Sequence, residues 1–385
     1  VYRGPKSYTG EDVVALSCPG GLDMTKRLLQ LVLDAGAAPA GPGEFTRRAF
    51  LNGKMDLAQA EAVMGLISAS GEQARKAALA GSTGVLSRKI ESIKQGLLEQ
   101  AAHLAAWADF PEEDVPQVEE AALLEGIRQG EKALEELLQG FDRGRMYREG
   151  LVTVIAGRPN AGKSTLMNLL SGCQRSIVTQ YAGTTRDVVE ETVMVAGVPL
   201  RLADTAGIRD TDDPVESIGV QAARQRLETA QLVLAVFDSS QALEKEDWEL
   251  MDALEKVPAI AIVNKSDLPT RMDVEAIQKR FEKTVSLSAA TGEGLAALEQ
   301  ALSEILDTKD FHPQEGVLFT QRQRMDAQTA LDSLREGEQA LVLGLTLDAV
   351  TVCVEDALHA LAALTGEQVS EEIVDRVFEE FCVGK

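Results

Sequence analysis

One glycine-rich segment constrains this chain more than any other feature of its sequence. The segment GRPNAGKST (157–165) fits the pattern G-x-x-x-x-G-K-[ST] and directly follows an apolar, strand-like run from Leu151 to Ala156. In this pattern the glycines let backbone N–H groups turn inward around phosphates, the lysine binds the phosphates, and the hydroxyl group binds Mg²⁺. Apolar residues after it, including Leu166 and Leu170, predict a helix whose positive end faces the phosphates. The segment therefore predicts a P-loop between a strand and a helix.

Four further motifs follow the P-loop in an order typical of guanine-nucleotide-binding domains. They are GTTRD (183–187), DTAG (204–207), NKSD (264–267) and SAA (288–290). DTAG and NKSD each follow a strand-like apolar run. Asp267 can accept both the ring N–H and the exocyclic amine of guanine, and adenine offers no such pair of donors. The motifs predict a domain that binds GTP or GDP and rejects ATP.

The motif residues have separate expected tasks. Lys163 is expected to place its charge on the β- and γ-phosphates, and Ser164 and Thr185 are expected to bind Mg²⁺. Asp204 is expected to face the metal from the end of its strand, as a catalytic carboxylate beside Lys163. The expected GTP contacts are Asn160, Ala161, Gly162, Lys163, Ser164, Thr165, Thr179, Gln180, Tyr181, Ala182, Gly183, Thr184, Thr185, Asp204, Thr205, Ala206, Gly207, Asn264, Lys265, Asp267, Ser288 and Ala289.

Two positions distinguish this domain from the Ras type. Ile208 stands where Ras-like enzymes have the glutamine that orients the attacking water, so another group must position that water. Asn160 brings an amide oxygen close to the phosphates. It could cap the P-loop, which the residues alone favour, or hold a monovalent cation where an arginine finger would otherwise act.

Composition limits the remaining functions. The 385 residues suffice for two or three domains, and the net charge of −23 disfavours tight binding of nucleic acid by the chain alone. The four cysteines lie far apart without a C-x-x-C pair, and with three histidines a zinc site is not expected. No apolar run has the length of a membrane span, and no signal peptide is recognisable. We expect a cytoplasmic protein with reduced thiols.

Hydrophobic periodicity divides the chain into four stretches: 1–51, 52–150, 151–309 and 310–385. The first combines a strand-like segment (13–18) with a helical pattern near Leu28 to Leu33, which predicts a partial α+β domain. The second and fourth have helical periodicity, and the third alternates strands and helices. The apolar helix faces share spacings of three and four residues: Ala60, Val63, Met64 and Ile67; Leu86, Ile90, Ile93 and Leu97; Leu134, Leu137, Leu138 and Phe141; Leu331 and Leu334; Ile373, Val377 and Phe381. The expected fold class is an α/β P-loop GTPase domain inserted in an all-α domain.

A set of longer segments resembles the MnmE (TrmE) family of tRNA modification GTPases. The matching segments are SYTGED (7–12), GEFTRRAFLNGKMDLAQAEAV (43–63), DFPEEDV (109–115), REGLVTVIAGRPNAGKSTL (148–166), GTTRDV (183–188), DTAGIR (204–209), VESIGV (215–220), NKSDL (264–268), SAATGEGL (288–295) and FCVGK (381–385). The resemblance spans nearly the whole chain. It implies a folate-binding and dimerising N-terminal domain, followed by a helical domain that the GTPase domain interrupts.

The resemblance also implies a reaction and its partners. With the FAD-dependent partner MnmG, the family adds an aminomethyl-type group to C5 of the wobble uridine of certain tRNAs. A folate such as 5-formyl-tetrahydrofolate supplies the one-carbon unit, and GTP hydrolysis drives rearrangement of the complex. The GTPase domains of the homodimer associate around K⁺, and tRNA is contacted mainly through the complex.

Individual residues acquire roles by this resemblance. The implied K⁺ ligands are the side chains of Asn160 and Thr184 and the backbone carbonyls of Thr179 and Tyr181. Glu216 matches the glutamate that orients the attacking water. The implied folate contacts are Lys54 and Lys385, and Cys382 is implied near the one-carbon chemistry, with a small core residue as its alternative role.

The N-terminal stretch departs from the family pattern. Ala15 and Pro19 stand where the family usually has a glutamate and a histidine, and the family usually has further residues before SYTGED. From these differences we expect an N-terminally truncated member that binds folate weakly and dimerises mainly with K⁺ and a transition-state mimic of GTP. Two other function classes stay open: a regulatory GTPase of ribosome assembly, and a scaffold whose GTPase only controls dimerisation.

Overall fold

The computed structural model describes residues 1–69, 71–109, 120–172, 191–202, 230–306, 312–379 and 381. The chain divides into two compact units. The helical unit comprises Val1–Ser68, Lys76–Phe141 and Pro313–Lys385, and the α/β unit comprises Ala69–Arg75 and Asp142–His312. Among the helices described, none combines the length and the apolarity that a membrane crossing requires.

The described helices and strands are numbered here in chain order. The helices are α1 Leu22–Asp34, α2 Glu44–Leu51, α3 Leu57–Ser68, α4 Glu72–Ser82, α5 Val85–Asp109, α6 Glu120–Glu149, α7 Lys163–Gly172, α8 Lys245–Ala253, α9 Val274–Gln278, α10 Leu295–Ile305, α11 Gln321–Val342, α12 Leu347–Thr365 and α13 Glu371–Glu379. The strands are β1 Leu151–Ala156, β2 Glu191–Val195, β3 Val198–Leu202, β4 Leu232–Asp238, β5 Ala259–Asn264 and β6 Lys283–Ser286.

The helical unit buries the apolar faces that the sequence predicts. One core of this unit joins residues of α5 and α6 with residues of α11 and α12, so helices from both sides of the α/β segment share one core. This confirms the insertion of an α/β domain into a helical one. The buried members include Leu86, Ile90, Leu97, Leu134, Phe141, Leu331, Leu334 and Val354. Ile67 and Ile373 are exceptions to the predicted faces: Ile67, in the last turn of α3, is 39% exposed, and Ile373, near the start of α13, is 40% exposed.

The N-terminal residues differ from the expectation at one point. The predicted strand at 13–18 does not form, and Val13 makes only an isolated antiparallel bridge with Tyr2. Val14 and Leu16 beyond it are exposed. An extended segment without a neighbouring strand leaves its backbone donors and acceptors unpaired, so alternating apolar residues alone do not produce a strand. The predicted helix near Leu28 to Leu33 is confirmed as α1.

The described strands of the α/β unit form one six-stranded sheet in the order β2-β3-β1-β4-β5-β6. Strand β1 pairs in parallel with β3 and β4, β4 with β5, and β5 with β6. Strand β2 pairs with β3 in the antiparallel sense. The antiparallel pair closes through a two-residue turn at Ala196 and Gly197, both at positive φ, which suits the twist of a hairpin. Every residue of β4 is buried, as expected for a central parallel strand covered on both faces. The carboxyl ends of β1, β4 and β5 therefore meet at one edge of the sheet.

Candidate nucleotide-binding site

The P-loop occupies the turn between β1 and α7, as the sequence predicts. Asn160 and Gly162 adopt positive φ angles of 61° and 96°. A Cβ on Gly162 would overlap the side-chain amide nitrogen of Asn264, and a Cβ on Gly157 would overlap the carbonyl oxygen of Val236. Both positions therefore need glycine, because the loop passes too close to β4 and β5 for a side chain.

Lys163 lies across this turn at the first residue of α7. Its Nζ donates hydrogen bonds to the carbonyl oxygens of Gly157 at 2.8 Å and Arg158 at 2.7 Å. Ser164 and Thr165 follow it and are exposed in the first turn of the helix. The first turn of a helix carries free N–H groups and a partial positive charge. The ammonium group, the hydroxyl groups and the helix end together suit an anionic phosphate.

Asn264 joins the P-loop to the SAA segment. Its Nδ2 donates to the carbonyl oxygen of Ala161 at 2.8 Å, and its Oδ1 accepts from the N–H of Ala289 at 3.0 Å. The residue is 2% exposed, so water does not compete strongly for either bond. Three motifs that are distant in sequence are thus brought into one site.

Asp267 lies exposed beyond the end of β5 and is oriented by a neighbour. The Ser288 hydroxyl, which is fully buried, donates to Asp267 Oδ1 at 2.7 Å. The N–H of Thr291 donates in turn to Ser288 Oγ at 3.3 Å. This chain of bonds holds the carboxylate in one orientation, as the reading of a base edge requires.

Lys265 is held from β4 by a residue that the sequence reasoning missed. Its Nζ lies 2.7 Å from Oδ2 of Asp238, whose side chain is 3% exposed. Burial acts to raise the pKa of the Asp238 carboxyl, but the hydrogen bonds from Lys265 and Ser240 outweigh it and leave the pKa below its usual value. Asp238 is paired in register with Asn264, so a polar residue at the end of the apolar run of β4 was the available signal.

Arg158 is a second residue that the sequence reasoning missed. Its guanidinium pairs with Glu244 at 2.6 Å and with Asp247 at 3.0 Å, at the beginning of α8. The hydrogen bond with Glu244 is the main cause of the raised pKa of Arg158. The Asp247 side chain is 3% exposed, and its oxygen also accepts from the N–H of Glu244. These bonds attach the start of the P-loop to a helix outside the motifs.

The remaining predicted residues divide into two groups. Lys54 is described in the helical unit, where its Nζ donates to the carbonyl oxygen of Pro5 at 2.8 Å and its side chain lies against Gly10 of SYTGED. The other group lies outside the described residues: Thr179, Gln180, Tyr181, Ala182, Gly183, Thr184, Thr185, Asp204, Thr205, Ala206, Gly207, Glu216, Cys382 and Lys385.

A mainly parallel sheet with a P-loop and an asparagine–lysine–aspartate motif at its carboxyl edge defines the class of P-loop GTPases. The family profile described as the MnmE helical domain matches residues 57–382, and the profile of the GTP-binding protein TrmE N-terminus matches residues 1–54. This chain belongs to the MnmE (TrmE) family.

Two relatives of known name support this assignment, and a solved structure is reported beside them as a similarity only. The chain is 42% identical to the tRNA modification GTPase MnmE of Alkaliphilus oremlandii over 386 residues, which cover 100% of this chain and 84% of that protein. It is also 42% identical to the protein of the same name from Lactococcus lactis subsp. cremoris over 387 residues, again covering 100% of this chain and 84% of that protein. Among solved structures, the G domain of the T. maritima FeoB iron transporter matches 40% of this chain and 98% of its own length, with 27% identity and a TM-score of 0.30.

Proposed function

We propose that this chain hydrolyses GTP in the modification of the wobble uridine of tRNA at C5, together with a flavin-dependent partner of the MnmG type. The observation that supports the GTPase assignment most is the Asn264 side chain, which bonds both the P-loop and the SAA segment. Family membership supports the tRNA assignment. The acidic net charge of −23 supports tRNA contact through the complex rather than by this chain alone.

Guanine is selected by Asp267. Its carboxylate, oriented by Ser288, accepts the two donors of the guanine edge. Asp267→Asn places an amide donor opposite that edge, so the variant should lose affinity for GTP and gain affinity for xanthosine triphosphate, which has a carbonyl where guanine has its amine. Titration of both nucleotides with each protein tests the assignment. A variant that lost affinity for GTP without gaining affinity for xanthosine triphosphate would contradict the assignment of Asp267.

Phosphate binding and metal binding are assigned to the P-loop. Lys163 neutralises phosphate charge, and Ser164 in the first turn of α7 offers the oxygen ligand that Mg²⁺ prefers, with Thr185 as a second ligand. Asp204 is assigned a supporting role at the metal. Bound Mg²⁺ supplies charge neutralisation at the phosphates. Lys163→Ala should abolish GTP hydrolysis in a chain whose helical content and thermal midpoint are unchanged.

Asn160 is assigned a role in K⁺ binding, with Thr179, Tyr181 and Thr184. Its exposure and left-handed backbone at the tip of the P-loop support an outward-facing amide. Hydrolysis should be fast in K⁺ and slow in Na⁺, and Asn160→Ala should remove that difference while GDP binding persists. Equal rates of the natural chain in both salts would contradict the role of K⁺.

Glu216 is assigned the orientation of the attacking water, because Ile208 cannot take that role. Glu216→Ala should lower kcat and leave GTP affinity nearly unchanged, since the carboxylate contributes mainly in the transition state. Loss of nucleotide binding instead would mean that Glu216 has a structural role.

The partners and cofactors of the helical unit complete the proposal. The chain acts in the cytoplasm as a homodimer, and Lys54, Lys385 and Cys382 contribute to a folate site that binds 5-formyl-tetrahydrofolate weakly. Calorimetry with this folate, and sedimentation with K⁺ and a transition-state mimic of GTP, test the two statements. The decisive test of the whole function is a cell deficient in wobble-uridine modification. The natural chain should restore the modified base and Lys163→Ala should not, whereas failure of the natural chain would favour another GTPase function.

A further inference from the structure

The NKSD turn contains a backbone conformation that its surroundings must impose. Lys265 has a φ of 63°, in the left-handed region that a lysine rarely adopts. Such a residue persists only where several contacts determine its position. The carbonyl oxygen of Lys265 accepts hydrogen bonds from Ser239 Oγ and from the N–H of Leu268, both at 3.0 Å.

The ammonium group of the same lysine is held by Asp238, the last residue of β4. Asp238 Oδ2 accepts a hydrogen bond from the Lys265 ammonium at 2.7 Å. Asp238 Oδ1 accepts from the N–H of Ser240 at 3.0 Å and from its hydroxyl at 2.6 Å. The carboxylate is therefore both charged and fixed in orientation. The N–H of Ser239 also donates to the carbonyl oxygen of Asn264 at 3.0 Å.

Each of the three motif side chains of this turn, Asn264, Lys265 and Asp267, thus has its own support. Asn264 is supported by Ala161 and Ala289, and Asp267 by Ser288. Lys265 depends on Asp238 and Ser239, which belong to none of the five GTPase motifs. A lysine side chain loses much rotamer freedom when a ligand orders it. An ammonium that is already paired with a buried carboxylate does not impose that cost on binding.

We propose that Asp238, with Ser239, is a positioning residue for guanine-nucleotide affinity that acts through Lys265. This inference rests on the proposed GTPase function. Because Asp238 acts on the base side of the site, its loss raises the KM for GTP and the Kd for GDP and leaves kcat unchanged. A charge-assisted hydrogen bond of this kind supports an expected loss of about tenfold in GDP affinity, equivalent to about 1.4 kcal/mol.

The test is a double-mutant cycle in the full chain, with fluorescent GDP as the probe. Asp238→Asn alone should weaken GDP binding about tenfold. In a Lys265→Met background the same substitution should change the affinity less than about twofold, since the group through which it acts is absent. The matched control is Asp252→Asn, which removes the carboxylate of an exposed pair with Arg280 in the same unit and should leave GDP affinity unchanged.

The outcomes separate this inference from the proposed function. Additive losses in both backgrounds, an unchanged affinity in Asp238→Asn, or a fall in kcat at saturating GTP would each overturn the positioning role. If a charge variant fails to fold, Ser239→Ala decides, because it removes one bond to the Lys265 carbonyl and no charge. That variant should weaken GDP binding about threefold, and an unchanged affinity would overturn the inference. Failure of the natural chain to bind GDP at all would instead refute the GTPase assignment.

Discussion

Glu61 offers the sharpest test of what holds the helical unit together. Its side chain is 4% exposed in α3, where it meets the beginning of α11. Oε1 accepts from the Thr320 hydroxyl at 3.1 Å and from Nε of Arg322 at 2.9 Å. Oε2 accepts from Nη2 of Arg322 at 2.8 Å and from the Gln323 amide. The nitrogen partners can only donate, so the site requires an acceptor at both oxygens.

Glu61→Gln keeps the shape of the side chain but replaces one of the two acceptor oxygens with a donor. Either orientation of the new amide places its NH₂ against an Arg322 N–H, and the guanidinium loses a buried anionic partner. Breaking a buried pair costs about 3–5 kcal/mol. The cost should be about 3 kcal/mol, because Nη1 of Arg322 still donates to Asp326 Oδ2 and to the Ala363 carbonyl oxygen, both at 2.9 Å.

The matched control is Glu135→Gln in the same unit. Glu135 pairs with Arg335 at 2.7 Å, but the two side chains are 44% and 46% exposed. An exposed pair contributes about 0–1 kcal/mol, so this variant should unfold almost as the natural chain does. The difference in unfolding free energy between the two variants therefore reports the effect of burial, because both variants lose one glutamate charge.

Urea unfolding of the full chain can distinguish the two units. The chain has two tryptophans, Trp107 in α5 of the helical unit and Trp248 in α8 of the α/β unit. Glu61→Gln should shift the transition reported by Trp107 in a Trp248→Phe background by about 3 kcal/mol. The transition reported by Trp248 in a Trp107→Phe background should not move. A loss below about 1 kcal/mol, or one equal to that of Glu135→Gln, would refute the reasoning.

Three further predictions concern single residues. Gly162→Ala should lower GDP affinity more than about a hundredfold, because the new Cβ overlaps the Asn264 amide at a backbone angle that favours glycine. The control is Gly172→Ala, which has open space at its Cβ and should bind GDP as tightly as the natural chain in the same titration. Ser288→Ala should weaken GDP binding about fivefold, because Asp267 loses the hydrogen bond that orients it, and a change below about twofold would contradict this role. Burial and the nearby charge of Glu338 raise the pKa of Glu131 above its usual value, so the folded state holds this proton more tightly than the unfolded chain. Stability should therefore fall as pH rises through the raised pKa, and Glu131→Gln should have a thermal midpoint a few degrees higher at neutral pH, with no difference well below the unfolded value of 4.5.

Local features of the sequence were enough to predict most of the site that the structure describes. The P-loop, its strand and the start of its helix depend on glycines, a lysine and an apolar run that are adjacent in the chain, and β1 spans the predicted residues Leu151–Ala156. The helical faces were predictable for the same reason, since spacings of three and four residues carry the amphipathic pattern.

Only the tertiary structure decided which distant residues meet. Asp238 and Lys265 are separated by 27 positions and pair because β4 and β5 are neighbours in register. Glu61 and Arg322 are separated by 261 positions and meet because helices from both sides of the α/β segment share a core. The segment at 13–18 shows the same principle in reverse, since a strand-like pattern forms no strand without a hydrogen-bonding neighbour. Periodicity determines what a segment can become, whereas the partners it finds in space decide whether it does so and which buried charges are satisfied.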